Sequence, residues 1–367
     1  MDKECDWEVF VMKVCYFGSY SQSPRNRIIM KGLKQNSIEV VECRDTSNIF
    51  LRYPKLMKKY FGLRDLDAII IGEPGQTSVL LARILIMINK TEKPLIFDAY
   101  LSLYEMMVYD RKLVKENSFK AKYFYYLDKI PCKLADVVLL DTNEHINYFN
   151  EEFGINKDKF RRVFIGADTD IFYPRQIEKE NNDQFTVLFH GSFIPLQGIQ
   201  YIIKAAKILE KYTDINFEMI GKGQTFNEMI KLSKSLNSQN ITFMGSIKYE
   251  EIPNYIARAD IGLGIFGDTD KAKRVIPNKA YEIIAMKKPL ITGDSPAARE
   301  LFVNGKNAIL CKMADPESIA ESILCLKEDD NLRRKIAKNG YNLFREKASP
   351  NVIGQDVKKN LESLVYQ

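Results

Sequence analysis

The chain has 367 residues, of which 46% are hydrophobic, and its formal net charge is +6. This length predicts two domains, each with its own core. The charge excess is too small for a nucleic-acid-binding arm, so we expect no nucleic acid partner. The opening MDKECDWEVF carries acids where a signal peptide needs an apolar core, and no apolar run is long enough for a membrane span. We therefore expect a cytoplasmic protein.

The cysteines and histidines give no sign of a metal centre. None of the six cysteines forms a C-x-x-C pair, so we interpret them as reduced packing thiols. The two histidines, His145 and His190, fall in different halves of the chain. The sequence therefore predicts neither a zinc site nor a Ser-His-Asp triad.

The first half alternates short apolar runs with segments of helix length, which predicts a parallel sheet covered on both faces. A last strand and a turn near 161–176 end this half, and a polar linker, QIEKENNDQ at 176–184, follows. We place the first domain at 1–176. The five predicted strands before the last one are 9–18, 38–43, 67–72, 94–99 and 136–141.

One stretch of the first half, FLRYPKLMKKYFGL at 50–63, interleaves apolar and basic residues at helical spacing. Such a helix either packs against the protein or lies on a membrane surface. Both alternatives stay open. On a membrane, the basic residues of 50–64 would contact anionic lipid at the inner face, so we also consider a peripheral location.

The second half repeats the alternation and predicts a second doubly wound domain, over 177–345. A final helix at 346–367 is predicted to pack back on the first domain. Ligands of such sheets bind beyond the carboxyl ends of the strands, so two facing sheets predict a cleft. The predicted strands are 185–191, 215–221, 241–245, 261–266, 289–293 and 307–311, and the predicted helices are 198–211, 225–236, 249–257, 278–287 and 315–327.

The loops after the first strand of each domain lack the G-x-G-x-x-G pattern of dinucleotide enzymes, and no Walker sequence occurs. A dehydrogenase is therefore not indicated. The loop GSFIPLQG instead places Gly191 and Gly198 around a helix start, where free backbone N–H groups favour an anion.

The stretch PNKAYE at 277–282 opens a predicted helix at the same sheet edge. Asn278 begins this helix. Lys279, helped by Arg274, has the charge to meet a diphosphate, and Glu282 has the oxygens to accept hydrogen bonds from a ribose diol. The simpler alternatives are a surface pair between Lys279 and Glu282 and a solvated loop around Arg274.

Three polar positions outside this helix carry simpler alternatives as well. Asp98 follows an apolar strand and is also typical of a turn or helix cap. His190 ends a strand and is also typical of a histidine near a core. Arg25 and Arg27 are also typical of an exposed first turn of a helix.

The series VLFHGSFIPLQG, FEMIGKGQ, ITFMGSIKYEEIPNYIARADIGLGIF and PNKAYEIIAMKKPLITGDSPAARELF resembles the donor-binding half of retaining GT-B glycosyltransferases, the group 1 family, over about 185–345. The first half matches loosely, through YFGSY, PRNR and FDAYLSLYEMMVYDRK. The resemblance implies two facing Rossmann-like domains of the α/β class and a nucleotide-diphosphate sugar as substrate. It also implies transfer to a glycan or lipid-linked hydroxyl with retention, without a metal or other cofactor.

The resemblance also assigns roles to residues. Glu282 corresponds to the second acid of the family's Glu, seven residues, Glu signature and would hold the ribose. Asp98 stands where many relatives carry a histidine facing the transferred sugar, and Glu300 stands where the family keeps an acid. Further donor-side positions are Gly191, Ser192, Gln197, Gly198, Gly221, Gly223, Gly245, Ile247 and Asn278, and the acceptor-side candidates are Arg25, Arg27 and Tyr100.

The sequence departs from the family pattern at the phosphate. The first signature acid is Arg274 here, and the usual Arg and Lys of the phosphate loop are Ser192 and Gln197. We expect Arg274 and Lys279 to restore the positive charge that a diphosphate leaving group needs. A nucleotide-sugar epimerase and a noncatalytic subunit that binds a partner or glycan remain alternatives.

Overall fold

The computed structural model describes residues 12–177 and 184–366. Two six-stranded parallel sheets, each flanked by helices, confirm the predicted pair of doubly wound domains. Part of the strand predicted at 9–18 and most of the linker predicted at 176–184 lie outside the described residues. The domain boundaries drawn from the sequence remain a prediction.

The first sheet has the strand order β2-β1-β3-β4-β5-β6. Its central strands are buried from end to end, which explains why their sequences are continuous apolar runs. The strands are β1 (Lys13–Gly18), β2 (Glu39–Arg44), β3 (Ala68–Ile71), β4 (Leu95–Asp98), β5 (Val137–Leu140) and β6 (Phe160–Arg162), and the helices are α1 (Pro24–Gln35), α2 (Ile49–Phe61), α3 (Gln76–Ile88), α4 (Phe119–Leu134) and α5 (Asn143–Phe153).

The second sheet has the order β12-β11-β10-β7-β8-β9. Each predicted strand is present, and the predicted ends differ from the observed ones by a few residues at most. The strands are β7 (Phe185–His190), β8 (Ile215–Ile220), β9 (Ile241–Gly245), β10 (Ile261–Leu263), β11 (Leu290–Gly293) and β12 (Ile309–Cys311), and the helices are α6 (Ile199–Leu209), α7 (Phe226–Ser235), α8 (Ile252–Arg258), α9 (Asp270–Arg274), α10 (Asn278–Ala285), α11 (Pro296–Arg299), α12 (Pro316–Glu328), α13 (Asp330–Lys347) and α14 (Pro350–Val365).

The last helix, α14, packs against α1 of the first domain. The two helices meet at glycines, since a Cβ atom added to Gly32 would lie 2.1 Å from the carbonyl oxygen of Pro350 and 2.7 Å from the backbone nitrogen of Gly354. Helix α13 packs against α10 of the second domain. The C-terminal helices therefore contact both domains.

Helix α2 covers the stretch for which two alternatives were open. Leu56 and Tyr60 are buried against the sheet, whereas Phe50 is 86% exposed and Leu51 and Phe61 are about half exposed. One face of the helix is therefore covered by the protein, and the other presents apolar side chains outward. Within 12–177 and 184–366, no helix has both the length and the hydropathy to cross a bilayer.

Candidate active site

A cavity of about 570 Å³ lies between the two domains, at the carboxyl ends of both sheets. The loops after β4 and β5 line it from one side, and the loops after β7, β8 and β9 line it from the other. This is the place where parallel sheets bind their ligands. The residues that line it include Tyr100, Asp110, Asp141, His145, His190, Gly191, Ser192, Gln197, Gly221, Ile247, Lys271, Asn278, Lys279 and Glu282.

Glycines bring the backbone of the second domain close together at this edge. A Cβ atom on Gly191, whose φ is +142°, would lie 2.9 Å from Nζ of Lys279. A Cβ atom on Gly221 would lie 1.9 Å from the carbonyl oxygen of Gly191. The two glycines therefore leave room for the lysine to enter the cavity wall.

Lys279 lies in the first turn of α10 and is 96% buried, with 4% of its surface exposed. Its Nζ donates to Oε1 of Gln197 at 2.5 Å and lies 3.5 Å from the ring centroid of Phe189. Burial lowers the pKa of Lys279 well below its usual value, and the nearby charge of Glu282 opposes this only in part. The alternative of a surface pair between Lys279 and Glu282 is therefore wrong. The lysine is buried and contacts an amide oxygen instead of a carboxylate.

Glu282 is also buried, with both oxygens engaged. Its Oε2 accepts from Nε2 of His190 at 2.8 Å and its Oε1 accepts from the Tyr249 hydroxyl at 2.9 Å. Burial, and then the charge of Glu282, raises the pKa of Tyr249, which keeps this phenol a donor. A carboxylate has further lone pairs, so Glu282 remains able to accept from a ligand in the cavity.

Tyr100 reaches across the cleft from the first domain. Its hydroxyl donates to Oδ1 of Asn278, at the start of α10, at 3.1 Å. Its φ of +55° lies in the left-handed region, which is uncommon for a residue with a side chain. This strained backbone conformation directs the ring of Tyr100 into the site. There the residue predicted on the acceptor side contacts α10, the helix predicted on the donor side.

Arg274 lies elsewhere than the sequence led us to expect. Its guanidinium forms a 2.6 Å ion pair with Oε1 of Glu105 and lies 4.5 Å from the ring centroid of Tyr148. It lines a neighbouring cavity and does not line the cavity of about 570 Å³ described above. The sequence did not identify Lys271, a buried cation that lines both cavities.

Asp98 and Arg25 do not line the cavity either. They form an ion pair with each other. Nε of Arg25 lies 2.9 Å from both carboxylate oxygens of Asp98, and its Nη1 donates to the carbonyl of Val163 at 3.0 Å. Burial raises the pKa of Asp98, and the arginine opposes this rise. The exposed-turn and cap alternatives are therefore wrong for this pair, which ties α1 to the end of β4.

Other predicted residues also have structural partners outside the cavity. Arg27 lies over the ring of Tyr249 and 3.8 Å from Asp168. Glu300 accepts from the backbone N–H groups of Asn143 and Glu144 at the start of α5 and so joins the two domains.

Three of the predicted glycines lie behind the cavity wall. Gly198 and Gly223 permit close contact with the backbones of Gly267 and Phe193, and neither lines the cavity. Gly245 has a φ of +71° and ends β9, and the cavity wall is formed by the residues after it, including Ile247.

The first domain contributes a hydrogen-bonded pair that the sequence analysis missed. Nδ1 of His145 lies 2.8 Å from Oδ1 of Asp141, both residues are buried, and both line the cavity. Asp141 directly follows β5, so its position at a carboxyl end was the available signal. His145 lies one helical turn further along, which brings it to the same face.

Comparisons with known proteins agree with this geometry. Residues 173–343 match the family model of "Glycosyl transferases group 1". Two uncharacterized glycosyltransferases of Methanocaldococcus jannaschii are similar: one is 24% identical over 69% of this chain and 66% of its own length, and the other is 23% identical over 99% of this chain and 91% of its own length. The crystal structure of Anabaena HepE in complex with UDP and glucose covers 96% of this chain and all of that one, with a TM-score of 0.71 and 15% identity. That likeness shows the GT-B fold.

Proposed function

We propose that this chain, whose residues 173–343 match the family model of group 1 glycosyl transferases, is a glycosyltransferase that moves a sugar from a nucleotide-diphosphate sugar to a hydroxyl acceptor. The observation that carries the proposal is the buried amino group of Lys279, which faces the cavity without a carboxylate in direct contact within the described residues. A diphosphate would supply the negative charge that favours its protonated form. Retention of configuration and independence of metals complete the proposal.

The donor would lie along the second domain. Lys279 and the backbone N–H groups of Ser192 and Ile194, whose residues line the cavity, are placed to hold the diphosphate, and Lys271 is a further cation at the cavity rim. Glu282 is placed to accept from the ribose. Anabaena HepE, which has the same fold, was solved with UDP and glucose, which supports a nucleotide as the ligand.

The proposed transfer step needs no general base from the enzyme. The acceptor oxygen forms a bond to the anomeric carbon while the bond from that carbon to the diphosphate oxygen breaks. The proton of the acceptor hydroxyl passes to the departing phosphate oxygen. Lys279 stabilises the charge that develops there, and closure of the cleft excludes water, which would otherwise compete as acceptor.

A thermal-shift series tests the donor assignment. Nucleoside diphosphates should raise the melting temperature of the full chain, because a ligand that binds the folded state stabilises it. Lys279→Met should lose most of this shift, whereas the matched variant Lys234→Met, at an exposed position of α7, should keep it. Equal shifts in both variants, or no shift in the wild type, would contradict the assignment.

We further propose that the acceptor is a glycan or is lipid-linked, and that the first domain contacts a membrane. Exposed apolar side chains form one stripe on α3 and one on α4, and these helices pack against each other. The exposed lysines 120, 122 and 133 flank the α4 stripe, which suits anionic lipid. Helix α2 packs on the same face of the sheet through Leu56 and Tyr60. The stripes consist of Leu80, Ile84, Met87, Ile88, Phe119, Tyr123, Tyr126 and Ile130, and the outward side chains of α2 are Phe50, Leu51 and Phe61.

Vesicle sedimentation tests this contact. The protein should sediment with phosphatidylcholine vesicles that contain phosphatidylglycerol, and less with phosphatidylcholine alone. Ile84→Asp combined with Ile130→Asp should abolish sedimentation. Ile208→Asp, at a similarly exposed apolar position of the second domain, should not. If that control alone loses binding, the contact lies on the other domain.

A further inference from the structure

Arg274 joins the two domains, at the position where the family resemblance implies the first signature acid. It ends α9 of the second domain, and its Nη1 donates to Oε1 of Glu105 at 2.6 Å. Glu105 begins the π-helical segment Glu105–Asp110 of the first domain and is fully buried. The ion pair therefore crosses from one domain to the other, and the proposed transfer step makes no use of it.

Two further contacts hold Arg274 against α5 of the first domain. The guanidinium lies 4.5 Å from the ring centroid of Tyr148, and the backbone carbonyl accepts from the hydroxyl of Thr142 at 2.5 Å. Thr142 also caps the start of α5. The first domain thus contacts both the side chain and the backbone of Arg274, and 27% of the side chain stays exposed.

Glu105 depends on this arginine for compensation of its charge. Its Oε2 makes no hydrogen bond among the described residues, and Nε2 of His145 lies 3.8 Å from it, beyond hydrogen-bond distance. A buried carboxylate that loses its cation is strongly destabilised, because its charge is left without a partner. Opening of the cleft would separate Glu105 from Arg274, so the ion pair opposes opening.

The ion pair also joins two stretches of the cavity wall. Three residues in or directly after the segment Glu105–Asp110 line the cavity between the domains. On the other side, Arg274 is followed directly by residues 275–279, which line the same cavity and end with Lys279. A contact at Arg274 therefore sets how closely the two walls face each other.

We propose that Arg274 is a positioning residue that holds the cleft closed through Glu105 before a donor binds. It replaces an acid of the family signature and acts between the domains instead of on the sugar. Because closure is already made, a nucleoside diphosphate does not have to drive it, and the apparent affinity rises with the fraction of closed molecules. This consequence for affinity rests on the proposed function, whereas the closure itself does not.

Small-angle X-ray scattering of the full chain without ligand tests the closure. Arg274→Met should give a larger radius of gyration than the wild type, and Glu105→Gln should do the same. Because both variants remove one ion pair, the double variant should open no further than either single variant. Arg83→Met is the matched control. Arg83 forms a 2.8 Å ion pair with Asp136 within the first domain, at a similar exposure of 23%, and its loss should leave the radius unchanged.

Two more variants separate charge from packing. Arg274→Lys keeps a cation beside Glu105 and should retain the wild-type radius. Arg274→Glu restores the acid of the family signature, but it places two carboxylates together and should open the cleft most. If residue 274 acted through packing alone, Arg274→Lys would scatter like Arg274→Met.

Calorimetry with UDP, GDP, ADP, CDP and dTDP tests the consequence for affinity. A nucleotide that binds the wild type should bind Arg274→Met about tenfold more weakly, because part of the binding free energy then goes into closing the cleft. It should bind Arg274→Lys and the control Arg83→Met as it binds the wild type.

Three results would overturn the inference: Arg274→Met scatters like the wild type, Arg274→Lys fails to restore the radius, or the effects of the two single variants add. If Arg274→Met does not fold by circular dichroism, Glu105→Gln carries the same test. If none of the five nucleotides binds the wild type, the donor assignment fails, and the scattering series still decides whether Arg274 closes the cleft.

Discussion

The two sides of the cleft treat their polar groups differently. On the second domain, Glu282 is hydrogen-bonded through both oxygens and Lys279 contacts Gln197. On the first domain, Asp110 and Tyr148 hold buried oxygen atoms that make no well-formed hydrogen bond among the described residues. The polar groups on the second-domain side are hydrogen-bonded before a ligand arrives, whereas those on the other side are incompletely paired.

The hydrogen-bonded side is the one that suits a constant ligand. A diphosphate and a ribose recur in every nucleotide-sugar, so a fixed arrangement of charge and acceptors serves them all. On the first domain, each buried group that is incompletely paired carries a desolvation cost. The three predictions below test the two sides in turn.

The largest effect is expected from Lys279→Met. Loss of the buried ammonium should lower the rate of transfer by about two to three orders of magnitude, roughly 3–4 kcal/mol of transition-state stabilisation. The rate is measured with a nucleotide-sugar that stabilises the wild type in the thermal-shift series. Circular dichroism of the variant checks that it is folded. Near-normal turnover would contradict a catalytic role for Lys279.

A smaller effect is expected from Glu282→Gln. The neutral amide keeps the shape but weakens acceptance from a ribose diol, and its nitrogen cannot accept at all. Nucleoside diphosphate affinity should fall about tenfold, or about 1.4 kcal/mol, as measured by calorimetry. The corresponding 2′,3′-dideoxy nucleotide should bind the wild type and the variant equally. A tenfold loss for both nucleotides would mean that Glu282 acts by supporting His190 and Tyr249 instead.

The third effect concerns the first domain and is a change in stability instead of rate or affinity. Asp128 accepts from the hydroxyl of Ser102 and the N–H of Tyr104, just before the segment Glu105–Asp110, and burial raises its pKa to about 6. Between its ordinary value and 6 the folded state binds more protons than the unfolded state, so the free energy of unfolding falls as the pH rises through this window.

Asp128→Asn should remove this slope. From pH 4 to pH 7, we expect the wild type to lose about 1–3 kcal/mol of unfolding free energy relative to the variant. Urea unfolding at a series of pH values gives the difference. Parallel curves for the two proteins would show that Asp128 titrates alike in both states, and the support beneath the segment Glu105–Asp110 would then be insensitive to pH.

The sequence predicted the scaffold and several of the residues that line the cavity between the domains. Buried parallel strands are recognisable as short apolar runs, and the loops at their carboxyl ends follow from the order of elements. Lys279, Glu282 and Gln197 could be placed in this way because each lies within a few residues of a strand or helix end.

Contacts between distant positions could not be predicted. Arg274 pairs with Glu105 across 169 residues, and Arg25 pairs with Asp98 across 73 residues. A single sequence carries no signal for which charge meets which, so these side chains were assigned to the ligand when the protein itself neutralises them. Conversely, Asp141 and His145 were not assigned to the site, although both line the cavity between the domains.

The return of α14 to α1 has a mechanical consequence. The chain passes between the domains twice, once before β7 and again between α13 and α14, so two covalent connections join them. Two connections restrict the relative motion and orientation of the domains more than a single covalent connection would, and in this arrangement the hydrogen bond from Tyr100 to Asn278 bridges the cleft.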